Sequence, residues 1–507
     1  MTWSTTTIVP KNYISDVAPS ALPVDVVSSL SNVDFFAGQP RSLSSSGLIW
    51  TPVQPPRNFG FHEYSGLRRW VYGTDVASAV VYNFDGTIQA NVTPVTGLTR
   101  SLYWDFDAFS GYQVFTNFLP NEAPHYLSAA NSVSVLAAPL PGWVSGHSCK
   151  LIRAHRNYLI AINTLEGGVH YGSRVRWSNS AVAGSLPTSW TAAINNDAGA
   201  YDPAVPGGEI VDAAVFGDTV YLGGRGGIWT MTYIGGTYVY AFEQRSTAHG
   251  LRGYGCMVSL GDSIAVLTQS DVVQIDSSSE RSLLIGKHAR TMFKAIGLNT
   301  KLVYINQARQ LLVLFGTGKE TGYSRALVWD RDTDTWGYRV FDRVYDCVGK
   351  GLDNRSVLEQ SWDALAGKYT WDTWNNRGSW DKTAFATDAY FYILGISGGV
   401  YGPGVTYNWT MTREGLPFAG GRFGRVHSLR ANISGTSGQT ISMRIGTSQS
   451  SGEDTTWGEQ RNYTLGNDEL LHCDLQRGAY MAYQISGNGS ATLASVEVQY
   501  KEQGRNR

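Results

Sequence analysis

The chain has 507 residues, a formal net charge of −1 and only 16% charged residues. A dedicated nucleic-acid-binding domain usually carries a clear basic excess, so this balance argues against one. Aromatic residues make up 12% of the chain and glycine occupies 57 positions, a composition typical of many short strands joined by tight turns and not of a helical protein.

The four cysteines are scattered along the chain and contain no Cys-x-x-Cys pair. This spacing predicts isolated buried thiols, with neither a zinc site nor a small disulfide framework, and synthesis in a reducing cytoplasm. Residues 1–10 lack the pattern of a signal peptide, and no run of about 18 apolar residues occurs. We therefore expect no membrane span.

The first strand patterns follow an N-terminal segment, residues 1–30, that we expect to be an extended arm. Helical patterns occur only at 20–31 and 121–130. The recurring signal is instead a pair of apolar, β-branched runs around a short polar turn, which predicts a β-hairpin. Such pairs lie at 151–153 with 158–161, 213–216 with 219–222, 257–260 with 263–267, and 302–305 with 311–314.

The spacing of the hairpins predicts the architecture. Their turns centre near residues 110, 156, 218, 262 and 307. A period of about 40–50 residues built from short strands is typical of β-propeller blades. We expect an all-β fold with a propeller of about six blades over residues 31–402, and a polar insertion around 173–208 that explains the one long interval.

Residues 403–507 have a different character, with alternating strands separated by Gly/Ser-rich turns, and predict a small antiparallel β-sandwich-like domain with a polar tail. Just before it, a Trp-Asp pair recurs every nine residues, at Trp362, Trp371 and Trp380. This repeat predicts a short stack of β-turns in which each indole covers its neighbour. The functional alternative is a platform on which carbohydrate stacks.

Motifs for catalysis are missing from the sequence. It contains no Gly-x-Ser-x-Gly, His-Glu-x-x-His, P-loop or dinucleotide-binding fingerprint. The glycine-rich stretch 223–227 lies between predicted strands, so it cannot place a helix N-terminus against a phosphate, and we interpret it as a hairpin turn. We predict no catalytic residues, no cofactor-binding residues and no cofactor.

Metal ligands are also not expected. His147 and His155 have no carboxylate or cysteine partner at ligand spacing. The pair Asp105/Asp107 and the stretch 330–334, which holds three aspartates, could bind Ca²⁺ through alternate loop residues. The second stretch, however, lacks the glycine and the distal glutamate of an EF-hand loop. We interpret 330–334 as a turn between two strands and predict no metal site.

One segment raises the possibility of a glycosidase. Residues 83–87, Asn-Phe-Asp-Gly-Thr, are faintly similar to the Asp-box turn of sialidases, which are also propellers. Sialidases repeat that turn across several blades, whereas it occurs once here. They also need a carboxylate pair, or a tyrosine and glutamate with an arginine cluster.

The ordered series of segments resembles a family of phage virion proteins. The resemblance covers about residues 100–500, and no single motif in it is diagnostic. It is carried by 151–172 and the Arg-Val-Arg-Trp-Ser segment at 174–178, by 208–213, 228–236, 242–250 and 271–275, and by the Trp-Asp repeat and 422–499.

The family is the tail nozzle, also called the packaged-DNA stabilisation protein, of short-tailed bacteriophages. The resemblance implies a structural virion protein, not an enzyme, that forms a homohexameric ring around the DNA exit channel at the distal end of the tail. It implies contacts with the head-to-tail adaptor and with a fibre, spike or needle protein, and retention of packaged DNA without sequence-specific binding. The protein would be made in the cytoplasm of the bacterial host.

The basic residues agree with an assembly role, because 10 Lys stand against 30 Arg. Protein interfaces favour Arg over Lys, since a guanidinium tolerates burial better than an ammonium group. A GC-rich genome would raise Arg as well, so both explanations stay open. The main alternative function is a carbohydrate-binding or depolymerising β-propeller spike, and a second is a cellular interaction scaffold.

Overall fold

The structure is a computed structural model that describes residues 3–64, 67–75, 79–236, 238–284, 296–306, 308–318, 320–352, 390–396, 398–403, 407–418, 423–435, 438–466 and 471–502. This part of the chain is all-β, with one turn of 3-10 helix at Pro19–Ala21 and no α-helix. The helical expectation for 20–31 and 121–130 was wrong, because runs such as Val26–Val27 and His125–Ser128 pair as strands. The Trp-Asp repeat lies outside the described residues.

The N-terminal segment contributes six short strands before the propeller begins. The first pairs with a strand near the C-terminus, with Ser4 opposite Tyr500. The strands are β1 (Ser4–Ile8), β2 (Asn12–Tyr13), β3 (Val26–Val27), β4 (Ser29–Ser31), β5 (Val33–Phe36) and β6 (Gln39–Ser42). In the segment expected as an extended arm, β1 and β4 join larger sheets, whereas β2 and β3 pair only with each other.

The propeller begins with β7 (Ser46–Trp50), and four-stranded antiparallel sheets, here called blades, follow it. Blade 1 is β8 (Asn58–Tyr64), β9 (Leu67–Gly73), β10 (Val81–Phe84) and β11 (Gln89–Asn91). Blade 2 is β12 (Asp105–Phe109), β13 (Tyr112–Thr116), β14 (His125–Ser128) and β15 (Ala138–Pro139). Blade 3 is β16 (His147–His155), β17 (Tyr158–Glu166), β18 (Val169–Trp177) and β19 (Gly199–Tyr201).

The remaining blades follow in chain order. Blade 4 is β20 (Ile210–Phe216), β21 (Thr219–Gly224), β22 (Ile228–Tyr233) and β23 (Tyr240–Ser246). Blade 5 is β24 (Met257–Ser259), β25 (Ile264–Leu267), β26 (Val272–Ile275) and β27 (Glu280–Ser282). Blade 6 is β28 (Ile296–Ile305), β29 (Gln310–Thr317), β30 (Tyr323–Asp330) and β31 (Thr335–Tyr345). Blade 7 is β32 (Cys347–Leu352), β33 (Tyr390–Ile396), β34 (Gly399–Pro403) and β7.

The seven blades close into a ring around their first strands. Each first strand contacts the first strand of the next blade, from β8 through β12, β16, β20, β24 and β28 to β32, and β32 contacts β8. The β-propeller is therefore confirmed, with seven blades in the part of the chain that the structure describes, where about six were expected. The seventh blade takes its outer strand from far upstream: Trp50 pairs with Val400 and Ser46 with Pro403.

The predicted hairpins are the first two strands of blades 3 to 6, and the turn near 110 opens blade 2. In blade 4, for example, Val215 pairs with Val220 across the turn at Gly217, whose φ is +58°. Glycine adopts this left-handed conformation without steric cost, which lets the two apolar runs meet in register. Blade 3 carries a long loop, 178–198, between its third and fourth strands, within the span where an insertion was expected.

The C-terminal region is an antiparallel sandwich of two sheets. One joins β1, β42, β36 and β40, and the other has the order β38-β37-β41-β35-β4 with β39 beside β37. Its core includes Leu429, Val496, Met443 and Ile485. The strands are β35 (Trp409–Pro417), β36 (Gly424–Gly435), β37 (Thr440–Ser448), β38 (Thr456–Trp457), β39 (Arg461–Thr464), β40 (Leu471–Gly478), β41 (Tyr480–Gly487) and β42 (Ala491–Glu502).

Strands β5 and β6 join the sandwich to the propeller. Val33 of β5 pairs with Tyr338 of the outer strand of blade 6, and Arg41 of β6 pairs with Thr492 of the sandwich. One sheet therefore runs without interruption from the axis of the propeller through blade 6 into the sandwich.

Candidate functional site

Polar side chains fill the centre of the propeller. They come from the first strands of five blades: Asn58 of β8, Asp105 of β12, Arg153 of β16, Asp212 of β20 and Lys301 of β28. Because first strands surround the axis of a propeller, these residues meet there although they are widely separated in sequence. We refer to these five residues as the axial cluster.

Arg153 ties three blades together. Its Nη1 lies 2.7 Å from Oδ2 of Asp105, and its Nη2 lies 3.1 Å from Oδ1 of Asp212. The Nε atom donates a hydrogen bond of 2.7 Å to the carbonyl oxygen of Ala213. The guanidinium presents its donors in a fixed planar fork, so one side chain can bind two carboxylates on opposite sides.

Each carboxylate of the cluster also accepts a backbone hydrogen bond from the next blade. Oδ2 of Asp105 accepts from the amide of Ile152 at 2.8 Å, and Oδ2 of Asp212 accepts from the amide of Met257 at 3.0 Å. The hydroxyl of Tyr254 donates to Oδ1 of Asp105 at 2.9 Å. The two aspartates therefore link neighbouring blades by hydrogen bonds.

Lys301 connects the blades on the other side of the axis. Its Nζ donates to Oδ1 of Asn58 at 3.1 Å and to the carbonyl oxygen of Val348 at 2.7 Å. Nδ2 of Asn58 in turn donates to the carbonyl oxygen of Trp104 at 2.7 Å. Blades 6, 7, 1 and 2 are connected in this way.

Burial shifts the pKa values in the axial cluster. It raises the pKa of Asp212 to about 6, although Arg153 opposes the shift. Burial lowers the pKa of the Lys301 ammonium group. Burial also disfavours the charged form of Arg153, but Asp105 and Asp212 outweigh this effect and raise its pKa well above the ordinary value.

The axial cluster blocks the bore. Its charged groups are held by partners within the protein, and the cavity of about 380 Å³ beside it is lined by first-strand residues that include Phe61, Phe106, Lys301 and Lys350. A nucleic-acid duplex cannot pass along the axis of a single subunit, because side chains occupy it. The arrangement suits mechanical cohesion between blades.

The sequence drew attention to Asp105 and Asp107, but as possible Ca²⁺ ligands. The two carboxylates have different partners: Asp105 binds Arg153, whereas Oδ2 of Asp107 accepts from the amide of Ala154 at 2.7 Å. Sequence reasoning missed Arg153 and Asp212 altogether. The available signal was a charged residue inside an apolar run, as in Val211-Asp212-Ala213.

The aspartates of 330–334 form the predicted turn between β30 and β31. Oδ1 of Asp330 accepts hydrogen bonds from the amides of Asp332 and Thr333. Asp332 forms an ion pair with Arg309, and Asp334 with Arg281. The side chains therefore point to separate partners. Among the described residues, no group of three or more His, Cys, Asp or Glu side chains could hold a metal ion.

The other sequence motifs are structural in the same way. Residues 223–227 form the turn between β21 and β22, with the amide of Gly224 bound to the carbonyl oxygen of Gly227, as predicted. His147 and His155 lie at opposite ends of β16, roughly 26 Å apart at the usual rise of a strand. In 83–87, Oδ1 of Asp85 accepts from the amides of Thr87 and Ile88, so the segment is a hairpin turn.

One face of the propeller carries a group of exposed apolar side chains. In a four-stranded meander, the loops between the third and fourth strands of all blades lie on one face. In blades 1 to 4 these loops expose large apolar side chains, whereas the same loops of blades 5 and 6 read Asp-Ser-Ser-Ser and Arg-Asp-Thr-Asp. The exposed residues, here called the apolar arc, are Ile88, Val135, Leu136, Val182, Ile194, Ile234 and Tyr238.

Comparisons with known proteins leave the family open. No family model matches the chain, and no curated protein matches it either. Among solved structures it is similar to YCF48 with a bound peptide, at 13% identity and a TM-score of 0.40 over 74% of this chain and 99% of that one. It is also similar to the extracellular domain of a putative one component system from B. thetaiotaomicron, at 11% identity and a TM-score of 0.40.

The second of these matches covers 84% of this chain but 48% of the other protein, so the chain spans about half of that protein's length. Over the residues that the structure describes, no helix has the length and apolar character needed to cross a membrane.

Proposed function

We propose that this protein is a structural subunit of a bacteriophage tail, the nozzle that rings the DNA exit channel of a short-tailed phage. The phage assignment comes from the ordered sequence resemblance over residues 100–500. The structural observation that supports an assembly role is the apolar arc. Its loops 129–137 and 178–198 contain a single charged residue, Asp197.

An arc of this kind suits contact with other proteins. Interface cores are depleted of charged residues, and contiguous apolar patches rimmed by polar residues mark protein–protein contacts. The blocked bore fits the same proposal, because the DNA channel of a nozzle lies between subunits and not through each propeller. The chain needs no reactive group for this task.

The proposal predicts that the purified protein forms a ring, alone or together with phage tail proteins. Native mass spectrometry and negative-stain microscopy measure the subunit number directly. The variant Leu136→Glu/Ile194→Glu places charges on the apolar arc and should abolish ring formation without changing the thermal unfolding midpoint.

A matched control lies on the other face of the propeller. Leu102 is 72% exposed in the loop between β11 and β12, so Leu102→Glu should leave ring formation intact. A protein that stays monomeric at high concentration and binds no tail component would contradict the proposal. So would a ring that forms equally well in the arc variant.

The alternative, a carbohydrate-binding or depolymerising spike, has one observation in its favour. A cavity between blades 3 and 4 is lined by Trp177, Tyr201 and other aromatic residues, and aromatic faces suit sugar stacking. Hydrolysis by a carboxylate pair is not favoured there, because its described lining contains one carboxylate, Asp197. Incubation with host polysaccharide separates the two functions, since release of sugar would support the spike.

A further inference from the structure

The cavity between the outer strands of blades 3 and 4 is a pocket of about 440 Å³ with aromatic walls. This volume falls in the range of small-molecule sites, which combine apolar walls with a few polar groups. We call it the aromatic pocket. Its lining residues are Trp177, Asn196, Asp197, Ala198, Ala200, Tyr201, Tyr238, Val239, Tyr240 and Phe242.

Small residues in and beside β19 let the indole of Trp177 pack closely against this strand. Gly199 pairs with Trp177, and a Cβ atom on the glycine would overlap the indole ring. Its neighbours Ala198 and Ala200 add only methyl groups to the lining. Nε1 of Trp177 donates to the carbonyl oxygen of Asp197 at 2.9 Å, which fixes the orientation of the indole.

The aromatic rings surround the pocket from several directions. The plane of Trp177 makes an angle of 69° with Tyr240 and 36° with Phe242. Tyr201 stacks on Phe242 with their centroids 4.4 Å apart. Tyr238 is 78% exposed at the rim of the pocket. The rings therefore line the pocket at several angles and do not form one flat platform.

The pocket carries a negative charge. Oδ2 of Asp197 accepts from the hydroxyl of Tyr158 at 2.7 Å, and Oδ1 accepts from the amide of Ser180 at 2.9 Å. Burial opposes ionisation, but these hydrogen bonds outweigh it and lower the pKa of Asp197, so the carboxylate is charged at neutral pH.

No positive side chain neutralises this charge within the lining. The arginines of the surrounding region are held by other partners: Arg156 pairs with Asp218, and Arg174 pairs with Glu166 and Asp202. The faces of aromatic rings are electron-rich and attract cations. The ring faces and the carboxylate therefore both attract a cation.

We propose that the aromatic pocket binds an organic cation, a quaternary ammonium or guanidinium group, between its ring faces and the Asp197 carboxylate. The cation can be carried by a small molecule or surface polymer, or by an arginine side chain of a protein. The pocket borders the apolar arc, with which it shares Tyr238 and the loop that holds Asp197, but cation binding by the isolated chain does not require the proposed place in a phage tail.

The test compares a cation with an uncharged molecule of similar shape. Isothermal titration of the full chain would use choline, its carbon isostere dimethylbutanol, and N-acetylarginine amide. We expect one of the two cations to bind about tenfold more tightly than the isostere. Choline as the better ligand indicates the small-molecule source, and the arginine derivative indicates a protein source.

Variants separate the charge of the pocket from its shape. Asp197→Asn keeps the side-chain volume and should weaken the cation about tenfold while leaving the isostere unchanged. Tyr238→Ala removes an exposed ring and should weaken the cation without altering thermal unfolding. Phe36→Ala, which removes an exposed aromatic ring outside the pocket, is the control and should have no effect.

Three results would overturn the proposal. They are equal binding of choline and dimethylbutanol, no saturable binding of either cation, and an Asp197→Asn variant that binds the cation as tightly as the wild type. Binding of neutral oligosaccharides to the same residues, with no preference for a charged probe, would also overturn it and favour a saccharide site.

Discussion

Two arginines of blade 3 stand three residues apart and have opposite surroundings. Arg153 lies in the axial cluster with its side chain 13% exposed, and its partners Asp105 and Asp212 are almost fully buried. Arg156 lies in the turn after β16 with its side chain 43% exposed, and its partner Asp218 is 62% exposed. Both form ion pairs with aspartate, and they differ in burial and in the number of carboxylate partners.

The difference indicates that the cost of breaking an ion pair depends on whether water can solvate the charge that remains. Removing one member of an exposed pair leaves a charge that water solvates. Removing one member of a buried pair leaves a charge without compensation. The axis of the propeller should therefore be intolerant of substitution, and its outer turns should be tolerant.

The largest effect is expected for Arg153→Met, which leaves two buried carboxylates without their cation. We expect a loss of about 3–5 kcal/mol in the free energy of unfolding, measured by urea denaturation at neutral pH. The matched variant Arg156→Met should lose less than about 1 kcal/mol. Equal losses in the two variants would break the comparison between axis and rim.

Packing beside the axis provides a second test. Gly73 of β9 lies against the buried Trp104, and a Cβ atom there would overlap the indole ring. We expect Gly73→Ala to lose about 1–3 kcal/mol of unfolding free energy.

The control for that substitution is Gly253→Ala, because no atom lies within 4 Å of a Cβ built on Gly253. Its unfolding free energy should stay unchanged or rise by about 0.4–1 kcal/mol, since alanine restricts the unfolded chain. If both alanine variants unfold at the same urea concentration, the close packing around Trp104 is not a source of stability.

The dependence of stability on pH sharpens the comparison, because a carboxylate whose pKa is raised by burial makes the folded protein less stable as the pH rises. The pKa of Asp212 is raised from 3.8 to about 6, so the folded protein holds this proton more tightly than the unfolded chain. Its stabilising contribution is present below about pH 4 and is lost as the pH rises through about 6. Relative to Asp212→Asn, the wild type should thus lose stability between these values, as urea titrations at several pH values would reveal.

The smallest effect is expected at Asp262 in an outer turn, where the change of stability with pH should have the opposite sign. Burial raises the pKa of Asp262, but hydrogen bonds from Arg331 and Ser263 outweigh it and lower the pKa below 3.8. Its contribution is present above about pH 4 and is lost as the pH falls. In the same titrations, the wild type should gain stability over Asp262→Asn as the pH rises from acid. If the stability difference between wild type and variant changed in the same direction with pH for both aspartates, these assignments would be contradicted.

Local pattern was enough to predict most of the propeller. Hairpins such as 213–216 with 219–222 consist of contiguous apolar runs around a glycine turn, and the structure pairs them as predicted. No hairpin was predicted in blade 1 because β8, Asn58–Tyr64, intersperses aromatic residues with glycine and polar residues and has no apolar run. Blade 7 was missed because its outer strand β7 is separated in sequence from its other strands.

The axial cluster could not be predicted for a related reason. Asp105, Arg153 and Asp212 are each about 50 residues from the next, and only the packing of successive blades brings them within hydrogen-bonding distance. The aromatic pocket likewise depends on residues of two blades. The sequence shows Trp177 and Tyr240 as ordinary strand aromatics, and only the packed sheets place them at one cavity.

The position of β7 also constrains the order in which the chain folds during its synthesis on the ribosome. Residues 46–50 emerge before any blade has been translated, yet their partner strand follows about 350 residues later. Blades 1 to 6 can each form from nearby residues during elongation, but the disc stays open until β34 appears. Throughout that interval the nascent chain presents an unpaired strand edge, which is the vulnerable state for misassembly with other nascent copies.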